Sequence, residues 1–229
     1  MIKVVATDVD GTITDCKEAL DVEAITAIRE LEKNGIRVML CSGNALCVLK
    51  ALGRYIGCTG PLVCENGGVV EYKGKMWVLS QNRRAADIVK ALRETYGDRV
   101  EESWSNRYRF VDMAIIRNMD FEGVKSVVGR FGGMKVIDSG FAYHILDENV
   151  NKGKALSKAI SILGVEPAAV AGVGDSTTDI ELLEACGLKC AVANGDKGVK
   201  EIADYVAKEP FGEGFAEIAQ MILSRQGLV

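Results

Sequence analysis

Three short apolar runs, each stopping at a polar or acidic residue, set the strongest limit on the fold. Residues 2–7, Ile36–Cys41 and Ala168–Val173 read as buried strands. Between the first two, Val22, Ile25, Ile28 and Leu31 recur at helical spacing, and Asn34-Gly35 closes that helix. Residues 44–56 read as a second helix, and LVCENGGVVEY as strand, turn and strand. This β-α-β-α-β order predicts a parallel sheet with helices outside it. The alternation then stops. Asn82–Tyr96 and Phe121–Phe131 read as helices, and Trp104–Ile116, Lys135–Asp138 and Tyr143–Leu146 as strands, a compact α+β unit of its own. It resumes with a helix over Lys152–Leu163, ended by Gly164, then the strand at Ala168–Val173 and a helix over 178–186. A short strand at Lys189–Val192 and helices at Val199–Ala203 and Gly214–Ser224 follow. The expected organisation is one α/β core, residues 1–81 and 152–229, interrupted by an inserted domain over 82–151.

With 229 residues, 48% of them hydrophobic, the chain can bury a substantial core. A net charge of −4 offers no basic field for nucleic acid. No apolar run has the length of a membrane span, and Met1-Ile2-Lys3 leads straight into a strand without a signal-peptide pattern, so a cytoplasmic protein is expected. Seven cysteines without a CxxC pair point to reduced, mostly buried thiols, not to disulfides or zinc. His144 is the only histidine, which disfavours His-rich metal sites and Ser-His-Asp triads. Within GFAYHIL it reads as a core or strand residue.

In open α/β sheets, ligands bind beyond the carboxyl ends of the strands. Asp8 and Asp10 follow the first strand there, Ser42-Gly43-Asn44 the second, and Asp175, Ser176 and Asp179 the run AAVAGV. Any one of these acids alone could be a turn or cap residue. Several carboxylates on one rim repel each other unless a cation holds them, and Mg²⁺, which favours oxygen ligands, is the natural candidate.

These residues carry a resemblance. DVDGT resembles the nucleophile motif DxDx[T/V] of the haloacid dehalogenase superfamily. SGN at 42–44 is similar to its second motif, NKGKAL with Lys152 to its third, and GDSTTD to its fourth, all in the expected order. ENGG at 65–68 and the KGKAL form resemble the Cof-like branch with type-II caps, and the modest insertion is most like that of archaeal phosphoglycolate phosphatases. Thr178 departs from that branch, many of whose members carry Asn before the final Asp.

The resemblance implies a Rossmann-like parallel-sheet core with an inserted α+β cap domain. It implies a Mg²⁺-dependent phosphatase acting on a small phosphate ester, 2-phosphoglycolate above others. Asp8 would be the nucleophile and Asp10 the general acid and base. Ser42, the Gly43 amide and Lys152 would grip the phosphate. Asp8, the main-chain carbonyl of Asp10, Asp175 and Asp179 would serve the metal, Asp179 directly or through its waters. Gly11 is expected to serve a tight turn. The cap would act as a lid, and Arg107 and Arg109, on one face of the strand expected over SNRYRF, are candidates to read a substrate carboxylate.

Other classes fit less well. Gly172 and Gly174 begin a dinucleotide-binding fingerprint, but Thr177 stands where its third glycine belongs. No P-loop pattern exists, and a receiver-like phospho-acceptor domain would not need the insertion. A sugar phosphatase or phosphomutase would share the core chemistry. Oligomeric state is not legible, and a homodimer is compatible with the sequence.

Overall fold

The computed structural model describes residues 1–80 and 84–228. Its core begins with β1 (Val4–Thr7), α1 (Val22–Lys33), β2 (Arg37–Leu40), α2 (Leu46–Ile56) and β3 (Leu62–Cys64). A turn over Glu65–Gly67 leads to β4 (Val69–Tyr72) and β5 (Lys75–Val78). The inserted part holds α3 (Ala85–Tyr96), β6 (Met113–Ile116), α4 (Phe121–Val128), β7 (Met134–Asp138) and β8 (Ala142–Asp147). The core resumes with α5 (Lys152–Leu163), β9 (Val170–Gly174), α6 (Ile180–Glu184), β10 (Leu188–Ala191), α7 (Lys197–Ile202), β11 (Tyr205–Val206) and α8 (Phe211–Arg225).

The expected parallel sheet is present, in the order β11-β10-β9-β1-β2. Alternate residues of its strands face opposite helical layers, as the two-residue period of a strand requires. Val5, Val38, Leu40, Ala171 and Val173 pack with Ile28 and Leu31 of α1 and Phe215, Ile218 and Ile222 of α8. Val4, Ala6, Met39 and Val170 pack on the other side with Leu156, Ala159 and Ile160 of α5. Register levels the strand ends: Thr7 pairs with Leu40 on one side and Val173 on the other. The residues that follow, Asp8, Ser42 and Asp175, therefore emerge along one rim. The chain winds from β1 toward β2, then returns to the other side of β1 at β9, so a crevice opens between β1 and β9.

The insertion is an antiparallel sheet β6-β8-β7 with its own apolar cluster, including Ile88, Leu92, Val124, Val127 and Ile145. This is an α/β protein with an α+β cap inserted in a Rossmann-like core. The first two residues of the helix expected over Asn82–Tyr96, and the core–cap junction at 81/82, lie outside the described residues. Within the cap, one expectation fails. Trp104–Ile116 is not one strand: Trp104–Tyr108 is a 3₁₀ turn, and only Met113–Ile116 is extended. Ser103 caps the turn by accepting from the Ser105 amide. The buried carboxylate of Glu65 accepts from the amides of Phe110, Val111 and Asp112. These bonds capture backbone donors that a strand would have paired with a neighbour.

All seven cysteines are free thiols; Cys41, Cys64, Cys186 and Cys190 are buried, while Cys16 and Cys47 are exposed. Among the described residues, no helix is long and apolar enough to cross a membrane.

Candidate active site

Asp8 follows β1 directly, and its amide donates to the carbonyl of Val173, which ties it to the neighbouring strand at 2.9 Å. Asp175 and Asp179 come from the turn after β9. One oxygen from each of Asp8, Asp175 and Asp179 lies within 4.8 Å of the others. Lys152, the first residue of α5 and 4% exposed, donates to Asp8 Oδ1 and Asp179 Oδ1 at 2.6 Å each. Asn151 caps that helix through the Lys154 amide. The Glu65–Gly67 turn lies against the same helix start: a Cβ on Gly67, whose φ is +98°, would meet the Asn151 carbonyl at 2.2 Å.

Burial pushes the Asp8 carboxyl well up, and Asp179, Asp175 and Asp10 add to the push against the pull of Lys152. Burial also raises Asp175, to about 6, with Asp179 reinforcing it. Burial alone would lower Lys152, but Asp179 and Asp8 reverse that and hold the ammonium charged. Asp179 uses both oxygens: Oδ2 accepts from the amides of Asp175 and Ser176 at 3.2 and 3.1 Å.

Asp10 is placed differently. Its carboxylate lies outside the acidic triad and accepts from Asn44 Nδ2 at 2.8 Å and Ser42 Oγ at 3.4 Å. Burial raises its carboxyl too, opposed by Lys152 and by the Ser42 and Asn44 bonds. Ser42 Oγ in turn accepts from the Asn44 amide. Thr12 donates to Asp175 Oδ1 at 2.7 Å. Gly11 has φ +87°, and a Cβ there would sit 2.5 Å from Asp175 Oδ2, so only glycine lets the first loop approach that carboxylate. Thr178 meets Ser176 hydroxyl to hydroxyl at 2.6 Å.

Asp8, Asp10, Asp175, Lys152, Ser42 and Gly43 border a cavity of about 580 Å³ that the cap closes from above with Ser105, Arg109, Phe141 and His144. The arginines do not share a strand face. Arg107 sits in the 3₁₀ turn, its guanidinium over the Tyr108 ring, away from the cavity lining. Arg109 borders the cavity, but its guanidinium is bound to protein: Nε to Ser105 Oγ, Nη1 to the Gly43 carbonyl at 2.9 Å and to Asp112 Oδ1 at 2.7 Å. A charge this buried needs such partners, and folding supplies them from the neighbouring loop. Sequence reading missed Asp112, which carries no local signal; Asn66, inside the ENGG run, donates to Asp112 and borders the cavity. His144 is a buried strand residue as expected, and it also lines the cavity.

Carboxylates and one lysine gathered at the crossover point of a parallel sheet suit the hydrolysis of an anionic ester. The family model of the haloacid dehalogenase-like hydrolases matches residues 5–111 and 124–218, and the chain belongs to that family. A protein of Methanospirillum hungatei named phosphoglycolate phosphatase is 38% identical over 96% of this chain and 97% of its own. One of Archaeoglobus fulgidus with the same name is 39% identical over 96% of each chain. A crystal structure from Thermoplasma acidophilum superposes with a TM-score of 0.88 at 26% identity, covering the whole of both chains. Family and full-length relatives together make this enzyme a phosphatase.

Proposed function

We propose that the enzyme is a Mg²⁺-dependent phosphomonoester hydrolase that converts 2-phosphoglycolate to glycolate and phosphate through a phosphoryl-Asp8 intermediate. The observation that carries this reading is the contrast between two carboxylates of one loop. Asp8 is fixed by Lys152 at 2.6 Å within the acidic triad, whereas Asp10 turns toward Asn44 and Ser42. Such divergent surroundings suit one carboxylate to attack and the other to move a proton. The substrate assignment is supported by the relatives of equal length that bear that name.

The residues fit a hard divalent cation. Three carboxylates converge with oxygen donors only, and Gly11 leaves room for Asp175 where any side chain would displace it. Asp8, Asp175 and the Asp10 main-chain carbonyl would hold Mg²⁺, with Asp179 on the metal or its waters. When bound, Mg²⁺ neutralises charge between the attacking carboxylate and the anionic phosphoryl group.

Asp8 attacks phosphorus while the bond to the leaving alkoxide breaks, and Asp10 delivers a proton to that oxygen. Burial keeps the Asp10 carboxyl raised, which favours the protonated form this step needs. Asp10 then takes a proton from water, which attacks phosphorus and frees Asp8. Ser42 and the Gly43 amide orient the phosphoryl oxygens, and Lys152 balances charge on Asp8. The core is residues 1–81 and 152–229, the cap 82–151, and the compartment the cytoplasm.

A sugar phosphate is the second reading, favoured by a cavity roomier than a two-carbon ester needs. A Mg²⁺ assay over 2-phosphoglycolate, sugar phosphates and p-nitrophenyl phosphate decides between them. We expect the highest kcat/KM on 2-phosphoglycolate and no turnover by a folded Asp8→Asn variant. Turnover retained by Asp8→Asn would remove Asp8 as nucleophile.

A further inference from the structure

His144 stands on β8, 5% exposed, in the cap wall of the cavity. Its Nδ1 lies 2.8 Å from Asp112 Oδ2, and the other oxygen of Asp112 takes Arg109 at 2.7 Å. Asp112 thus grips both side chains and fixes the imidazole ring. Among the described residues Nε2 has no protein partner, and no buried side-chain nitrogen or oxygen lacks one. Nε2 is therefore not sealed in the protein; it opens onto the cavity.

The surrounding charges say what it would meet. Glu65, fully buried, accepts the amides of Phe110, Val111 and Asp112, so two carboxylates lie beside the single guanidinium of Arg109. With a proton on each ring nitrogen, Nδ1 donates to Asp112 and Nε2 can donate to an anion in the cavity. Arg109, the arginine nearest the cavity, already has Ser105, Gly43 and Asp112 as partners. We propose that His144, oriented by Asp112, binds the carboxylate of the substrate's leaving group through Nε2–H and so selects carboxylated phosphate esters. This rests on the phosphatase reading above and assigns its specificity to one cap residue. Asp112 is a positioning residue in this scheme.

The test pairs 2-phosphoglycolate with ethyl phosphate, which matches it in length but lacks the carboxylate. A charge-assisted hydrogen bond of the usual strength predicts that His144→Phe lowers kcat/KM on 2-phosphoglycolate by about tenfold to a hundredfold. The loss should appear mainly in KM and be at least about tenfold smaller on ethyl phosphate. His144→Gln, which keeps a donor, should retain more of the preference and serves if the phenylalanine variant does not fold. Asp112→Asn should shift the preference the same way. Equal losses on both esters mark a structural role and overturn the proposal. A wild-type preference that survives intact in both His144 variants overturns it alone. A wild type without any preference for 2-phosphoglycolate overturns the substrate assignment as well.

Discussion

Replacing Lys152 by methionine removes the ammonium that lies between Asp8 and Asp179. The lysine is 4% exposed and touches each carboxylate at 2.6 Å, while Asp179 is fully buried. Methionine fills much of the same volume, so the loss is electrostatic and not a cavity. Breaking a buried ion pair by deleting one partner costs about 3–5 kcal/mol, because the other charge stays buried and unpaired. For a chain of this size each kcal/mol moves Tm by about 2–4 °C, so Lys152→Met should melt about 6–20 °C lower in EDTA. The cause is the orphaned anion, so adding Asp179→Asn should recover part of the loss without restoring turnover. Thermal melts of wild type, both single variants and the double variant, followed by circular dichroism, measure the coupling. A drop under about 2 °C, or losses that simply add in the double variant, would refute the claim that this lysine holds the acidic cluster together.

Two further outcomes follow from the same geometry. Burial raises the Asp175 carboxyl to about 6, above its unfolded value, so its contribution to stability is present below about pH 4 and lost as pH rises through 6. A divalent cation competes with that proton, so Mg²⁺ should raise Tm strongly at pH 7.5 and little at pH 5, with Asp175→Asn flattening the difference in paired Mg²⁺ and EDTA melts. Gly67→Ala would push a Cβ to 2.2 Å from the Asn151 carbonyl at a φ of +98°, and should cost about 1–3 kcal/mol in a urea melt while displacing Lys152 enough to cut activity.

Much of the core was legible because its central strands are apolar runs ending in a polar turn. The helix at Lys152–Leu163 matches the residues expected, and β1, β2 and β9 fall where the runs lie. The strands that went unread are edges. The β5 strand is half-exposed, and β11 has two residues, too few to show a pattern. Trp104–Ile116 was misread because its aromatic and branched residues favour a strand, whereas Ser103 and the distant Glu65 take up its backbone donors.

The linear order of residues by itself determined the parallel sheet, its interruption by a cap, and which carboxylates stand at strand ends, because hydrophobic period and turn chemistry act over a few neighbours. Only tertiary structure decided how those groups divide the work. Lys152 reaches Asp8 across 144 positions and Thr12 reaches Asp175 across 163, distances over which no local pattern survives. The same is true of the cap: folding bound Arg109 to Asp112 and Gly43 and left His144 in the cavity wall. Charge pairing inside a closed site depends on which loops meet, and that is settled by packing.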